Sequence, residues 1–260
     1  MSTSKIMKLA LIATASFAVG ISGCTTHTPA PVPSAPSTVT VTATPSPANG
    51  APTPTPSNGG YNATSRTASG TDGAVTYDVT MPAVTGPNQA VVDAFNNSVD
   101  TSLQQQITAL QHNSIAAEWS LTTNQDPGVQ RAVWLGNNTI SGLWVTRAYT
   151  PGAAHGSYHI ATFVIKKATA QPVMLADVFG DLGSALQRLS QNATTQLSAK
   201  LGNAFNPSGV APTAENFANW IPTSDGIELH FNDYQVGPHG LVVITVPWAV
   251  FDGIPMNNVR

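Results

Sequence analysis

Between Thr25 and Gly60, nine of 36 residues are proline and most of the others are Thr, Ser or Ala. A stretch of that composition has no apolar period and buries nothing, so it cannot offset the entropy lost on ordering a chain. Only two charges, Arg66 and Asp72, occur anywhere from Thr25 to Asp72. Residues 24–72 are therefore expected to form a disordered Pro/Thr/Ser-rich tether. A tether of that length spans between roughly 40 Å as a coil and roughly 150 Å as polyproline II. Folding is then confined to residues 73–260, 188 residues, long enough for one domain with a sizeable core.

The segment before the tether gives it a use. Lys5 and Lys8 lead into an apolar run, Leu9 to Gly20, that ends in Ile21-Ser22-Gly23-Cys24. A basic start, a short apolar centre and small residues at the cut are the parts of an export signal. The run is too short to cross ~30 Å of hydrocarbon, which needs ~20 apolar residues. A cysteine directly after the small residues resembles a bacterial lipobox. That resemblance implies a lipoprotein signal peptide over 1–23, with the Cys24 thiol taking diacylglycerol and the new N-terminus a fatty acid such as palmitate. More than one acyl chain is needed, because a single chain holds a protein to a bilayer only reversibly. The expected place of work is the extracytoplasmic face of the cell membrane, with the membrane itself as a partner through the lipid on Cys24.

Losing Lys5 and Lys8 with the signal takes the formal net charge from -3 to -5. An acidic chain without a basic run lacks the cations that neutralise phosphates, which argues against nucleic acid as a partner. Cys24 is the only cysteine, so disulfides and cysteine metal sites are excluded from the domain. Charged residues make up 9% of the chain. A soluble domain usually carries ~25%, so Asn, Gln, Ser and Thr must supply the polar surface.

Within the domain, Ala74 to Met81 alternates and is rich in β-branched residues, which predicts a strand. After Pro87, Val91, Val92, Phe95, Val99, Leu103, Ile107 and Leu110 recur at helical spacing and cover an arc of roughly 160°. Four strand-like runs follow, 117–123, 131–135, 139–149 and 159–166, with a hairpin signal at Gly136-Asn137-Asn138. A second amphipathic helix is predicted from Asp181 to Gly202, and a short one from Thr213 to Trp220. A last hairpin turns at Ser224-Asp225-Gly226, and a final strand runs from Leu241 to Pro247. The connections are mostly too short for parallel crossovers. The expected fold is α+β: a mainly antiparallel sheet with two amphipathic helices packed on it, behind the tether. Phe231, Tyr234 and the Val242–Val246 run are expected at the centre of that sheet. Apolar and β-branched residues on both faces of the run imply burial on both.

Three stretches resemble the RsiV-like family of exported bacterial domains. The first is the strand, Gly86-Pro87 and a helix carrying Asn96-Asn97. The second is Tyr149-Thr-Pro-Gly152-Ala-Ala-His155-Gly156, followed by a hydrophobic strand and Met174-Leu-Ala-Asp177-Val-Phe179. The third is Phe231-Asn-Asp-Tyr234-Gln-Val-Gly237-Pro238-His-Gly240, then a valine-rich run ending in Pro247-Trp248. Together they cover nearly all of residues 74–255, and their order and spacing carry the likeness. Ala153 replaces a usual glycine, and the run from Pro238 to Gly240 is short; both departures lie in loops. The family includes lysozyme-sensing anti-sigma factors and secreted mycobacterial antigens. The resemblance implies an envelope domain that binds a protein, such as a lysozyme-like protein, or an envelope glycan. The sequence shows neither a membrane span nor a sigma-binding segment, so anti-sigma signalling does not follow.

The loop residues His155, Tyr234 and His239 are the candidate binding residues. His155 and His159 are four apart, but beside Pro151-Gly152 and on a strand that spacing does not make a metal pair; no metal or other cofactor is expected. A serine esterase is the alternative, with Ser157 as nucleophile, His155 as base and Asp233 as orienter; His230 or His239 could replace His155. The chain lacks the Gly-x-Ser-x-Gly elbow around Ser157. Glycoside hydrolysis needs two carboxyl groups ~5–10 Å apart. Glu118, Glu215 and Glu228 are the only glutamates in the domain, and exposed strand positions account for Glu118 and Glu228. The tryptophans 119, 134, 144, 220 and 248 are expected in the core.

The lipobox reading makes a direct prediction. Cys24→Ser should leave the protein unlipidated, because a hydroxyl replaces the thiol nucleophile. Detergent partitioning of membranes checks it: the variant should leave the detergent phase that retains the wild type.

Overall fold

The structure is a computed structural model that describes residues 41–42, 59–113, 118–123 and 133–259. The expected signal peptide, Cys24 and most of the expected tether lie outside the described residues.

The larger of two sheets has eight strands. Its main path runs β1 (Val41–Thr42), β2 (Asn62–Asp72), β3 (Val75–Thr85), β4 (Trp119–Thr123), β6 (Thr139–Tyr149), β7 (Ser157–Lys166) and β8 (Gln171–Pro172), and β5 (Val133–Leu135) pairs with β6. Every pairing is antiparallel except β3 with β4. A parallel pair needs a crossover, and helix α1 (Gln89–Gln111) supplies it. All seven of its predicted stripe residues are buried. They pack on Tyr77, Val79 and Met81 of β3, Trp144 of β6 and Phe163 of β7. Asn88 caps the helix by accepting from the Ala90 N–H at 3.1 Å.

The second sheet has three antiparallel strands, in the order β11 (Val242–Pro247), β10 (Gly226–Phe231) and β9 (Trp220–Pro222). It follows the one-turn helix α2 (Leu175–Val178) and helix α3 (Leu182–Leu201). Asp181 caps α3 through the Ser184 N–H at 3.0 Å, and Gly202 ends it at φ +54°. Ala185, Leu186, Leu189, Ala193 and Leu197 of α3 meet Ile227, Leu229, Phe231, Ile244 and Val246. Each sheet thus has its own helix on one face. On the other face of β6 and β7, Leu143, Val145 and the partly buried Tyr158 and Ile160 meet Ile221 and Leu241 of the smaller sheet's segment. The fold is α+β and mostly antiparallel as expected, but its two helices are divided between two sheets rather than sharing one.

Three local expectations are corrected. Asn62–Asp72, placed in the tether, is a strand paired with β3 along its whole length, and Val41–Thr42 pairs with it in turn. Main-chain bonds hold it: Ala68 is its only buried residue, and Arg66 is anchored by Asp100 and the Asn96 carbonyl. Residues 213–220 form no α-helix; a 3-10 turn, Glu215–Phe217, leads into β9. Finally, β11 is an edge strand with one buried face. Ile244 and Val246 point into the core while Val243 is 37% exposed, and Tyr234 lies outside the sheet. Helix α3 covers the outer edge: Gln196 donates to the Thr245 carbonyl at 2.9 Å and Lys200 to that of Val243 at 3.3 Å. Side chains on carbonyls that would otherwise template another strand are a defence against edge-to-edge pairing.

Neighbouring residues of β11 should therefore respond oppositely. Ile244→Ala should cost ~2–5 kcal/mol, as for a packed core position. Val243→Ala should cost about 0.5 kcal/mol or less, as at a surface position. Urea midpoints at constant slope measure both.

Candidate functional site

Two loops that leave the facing sheets meet at one place. The first joins β6 to β7 and carries His155. It turns at Thr150, whose carbonyl accepts from the Ala153 N–H at 3.1 Å, with Gly152 at φ +88°. Gly156 then passes close to β6: a Cβ there would lie 2.7 Å from the Ala148 carbonyl oxygen and 2.7 Å from Arg147 Nε. Only glycine fits, and this approach fixes where His155 emerges.

The second loop joins β10 to β11. Its turn is closed by the Gln235 N–H on the Asn232 carbonyl at 2.9 Å. Gln235 is held inside by donating to the carbonyls of Gly209 (2.8 Å) and Asn216 (2.9 Å). Val236 is buried. Between Asp233 and Gln235, Tyr234 takes φ +63° and stands 51% exposed. A bulky residue in the left-handed region is a true outlier and costs ~1–3 kcal/mol.

Asp233 joins the two loops. Its carboxylate accepts from the Gly240 N–H (2.8 Å), the Tyr158 N–H (3.1 Å) and His239 Nδ1 (2.9 and 3.0 Å), and its side chain is 6% exposed. Because a carboxylate only accepts, His239 carries its proton on Nδ1 and, in the neutral ring, turns an Nε2 lone pair outward. His155 has the same arrangement. Its Nδ1 meets the Gly156 carbonyl at 3.0 Å, so the neutral ring presents Nε2 to the Tyr234 hydroxyl at 3.1 Å. The rings stack into a column. Tyr158 lies on His239 (centroids 5.1 Å apart, 11° between planes) and His239 on His155 (4.1 Å, 26°), with Tyr234 tilted beside His239 at 5.5 Å.

The structure thus brings His155, Tyr234 and His239 together, with Asp233 beneath them. It does not assemble the serine triad. The Ser157 hydroxyl is 3.4 Å from His159 Nε2, while Asp233 orients His239 and His155 is bonded to Tyr234. His230 is buried in the smaller sheet and paired with Glu228 at 2.9 Å. Glu118 is exposed just before β4. Among the described residues no three His, Cys, Asp or Glu side chains come together as metal ligands. None of the five tryptophans is exposed, and the surface rings are tyrosine and histidine instead. Tyr158 and Arg147 were missed from the sequence. Alternation along β6 places Arg147 on the face of Val145, and register places Tyr158 opposite it; only the pairing of β6 with β7 reveals that neighbourhood.

Residues 176–249 match the family described as "Protein of unknown function (DUF3298)". That segment is similar to the DUF3298 family. It holds α3, the smaller sheet, Asp233, Tyr234 and His239; His155 and Tyr158 lie before it. A crystal structure of a DUF3298 member from Bacteroides fragilis is similar at a TM-score of 0.51 and 17% identity, over 78% of this chain and 96% of that one. A DUF3298 protein from Pseudomonas aeruginosa PAO1 is similar at 0.46 and 14%, over 76% and 93%. At 17% identity the likeness to the Bacteroides fragilis structure speaks for the fold alone. No curated protein matches the chain.

Partly buried His159 lies beneath the same loop, bonded to Ser157. Burial pushes its pKa below the ordinary value, while the Asp233 charge pulls upward more weakly. The unfolded imidazole, at about 6.5, therefore holds its proton more tightly than the folded one. The neutral ring's contribution is complete above about pH 6.5 and is lost as the pH falls below that towards the lower folded value. His159→Gln should flatten this slope. Urea midpoints compared between about pH 8 and about pH 5 should fall more for the wild type than for the variant.

Proposed function

We propose that the chain is a lipid-anchored cell-envelope lipoprotein whose extracytoplasmic domain binds a protein or glycan ligand at the His155–Tyr158–Tyr234–His239 cluster. One observation carries the reading: Tyr234 is held at positive φ, with its ring half exposed, against a column of rings fixed by a buried carboxylate. Such a surface is rigid before it meets a ligand, so little side-chain entropy remains to be lost on binding. The lipobox at Cys24 and the proline-rich run after it support placement on the outer face of the membrane, lifted from the lipid. The Asp233–His239 pair has the form of an oriented base, but nucleophilic catalysis also needs a nucleophile within hydrogen-bond reach of that base. Ser157 turns to His159 instead, which favours binding over turnover.

The test is co-sedimentation of the purified protein with isolated cell-wall material, and calorimetric titration with lysozyme. One of the two should bind the wild type. Tyr234→Ala and His239→Ala should weaken that binding at least about tenfold, the scale of losing an interface anchor. Their melting temperatures should show that they remain folded. Binding that is indifferent to both substitutions, or absent with both materials, would overturn the proposal.

A further inference from the structure

We infer that this cluster takes an acidic saccharide, with a pyranose ring laid on the exposed face of Tyr234 and its carboxylate drawn to Arg147. The inference rests on the reading of the cluster as a ligand site and names the ligand's chemistry.

Arg147 stands opposite Tyr158 in the β6–β7 register, so the two side chains share a face. Its Nε runs beneath Gly156, the residue after His155, and its guanidinium carbon lies 5.5 Å from the Tyr149 ring centroid. That places a cation under the loop that carries His155, whose ring bonds Tyr234. Ion pairs among the described residues join Arg66 to Asp100, His230 to Glu228 and His239 to Asp233; none involves Arg147. Asp233, the carboxylate of the cluster, already accepts from two backbone N–H groups and His239. A half-buried arginine without an acid partner among the described residues keeps its planar fork of donors, which matches a carboxylate bidentately. One such fork suits one carboxylate. A polyphosphate or nucleic acid would need several cations.

The surroundings favour a sugar over a protein. Among the described residues the exposed large apolar ones are Met174, Tyr234, Val243 and Met256, and Tyr234 is the one in the cluster. Exposed residues beside it in the two loops include Ala154, His155, Asn232 and Pro238. A stable protein interface buries ~1,200–2,000 Å² around an apolar centre, and the described residues of the cluster form no such centre. One ring face, negative at its centre, offers the area that the C–H face of one sugar ring covers. The Nε2 atom of His239 can accept from a sugar hydroxyl at its margin, and so can the Tyr234 oxygen, whose own proton goes to His155 Nε2.

The experiment titrates the purified protein with trigalacturonate, a mannuronate trisaccharide and a hyaluronan tetrasaccharide, and with neutral maltotriose, cellotriose and chitotriose. Calorimetry gives affinity, and a melting curve for each variant reports folding. At least one acidic saccharide should bind at least about tenfold more tightly than every neutral one, the scale of a charge-assisted bond. Arg147→Gln should abolish that preference and leave weak binding, Arg147→Lys should restore part of it, and Tyr234→Ala should remove binding of both classes. Equal binding of acidic and neutral sugars, or an Arg147→Gln protein that keeps the preference, overturns the acidic assignment and leaves the site standing. No saccharide bound, with lysozyme still bound through Tyr234, overturns the sugar and keeps the site. Indifference of every ligand to Tyr234→Ala overturns the site itself.

Discussion

The carboxylate of Asp233 is the interaction on which the surface cluster depends. An ion that is 6% exposed survives burial only if hydrogen bonds replace its water. Asp233 receives them from the first residues of β7 and from the far side of its own loop. These donors belong to different sheets, so the carboxylate is satisfied only when the sheets are docked. The dependence runs both ways. Without the carboxylate, two backbone N–H groups lose their acceptor and His239 loses the partner that sets its tautomer. The stack of Tyr158, His239 and His155 then has nothing to hold its middle ring. The cluster is therefore a consequence of the tertiary fold and cannot form in either loop alone.

That docking follows from how apolar surface is distributed. Strand β6 is buried along nearly its whole length. Ile140 and Trp144 face α1, and Leu143 and Val145 face the other way. A helix can cover only one face of a sheet, so the second needs another layer. The smaller sheet supplies it through Ile221, while its own main core is closed by α3. The contact between sheets is small and partly polar, with the Trp220 N–H on the Thr162 hydroxyl at 3.1 Å. Polar bonds across a thin apolar seam fix register more than they add stability. They set the two loops at the height where Tyr234 reaches His155.

Much of this was legible where a pattern reports directly on burial. The stripe of α1, the ends of α3 at Asp181 and Gly202, and the hairpins at Gly136-Asn137-Asn138 and Ser224-Asp225-Gly226 depend on neighbours close in sequence. What failed depends on partners far away. Asn62–Asp72 has no alternation to read because its side chains bury almost nothing; the backbone of β3 makes it a strand. The valine-rich β11 reads as doubly buried, yet a residue such as Val243 can stand at an exposed edge when α3 protects the strand by side-chain bonds. At the site, His155, Tyr234 and His239 were visible as loop residues in recurring motifs. Arg147 and Tyr158 became visible only with the β6–β7 register.

The backbone at Tyr234 bears on why this surface exists at all. A turn that requires positive φ is cheapest with glycine, and asparagine is the next choice. The β7–β8 turn uses Ala170 at φ +54°, a small residue with little to clash. Tyrosine at +63° is costlier, and its ring is not buried in compensation. The surrounding bonds hold it there: Gln235 is tied to Gly209 and Asn216, and Val236 is sunk in the core. Folding energy from the smaller sheet is thereby spent on presenting one aromatic ring at a defined angle beside two imidazole edges. Tyr234 lies outside every core cluster, and its ring meets the imidazoles of His155 and His239 instead. An aromatic ring held at that cost suits the proposed reading of the cluster as a ligand surface.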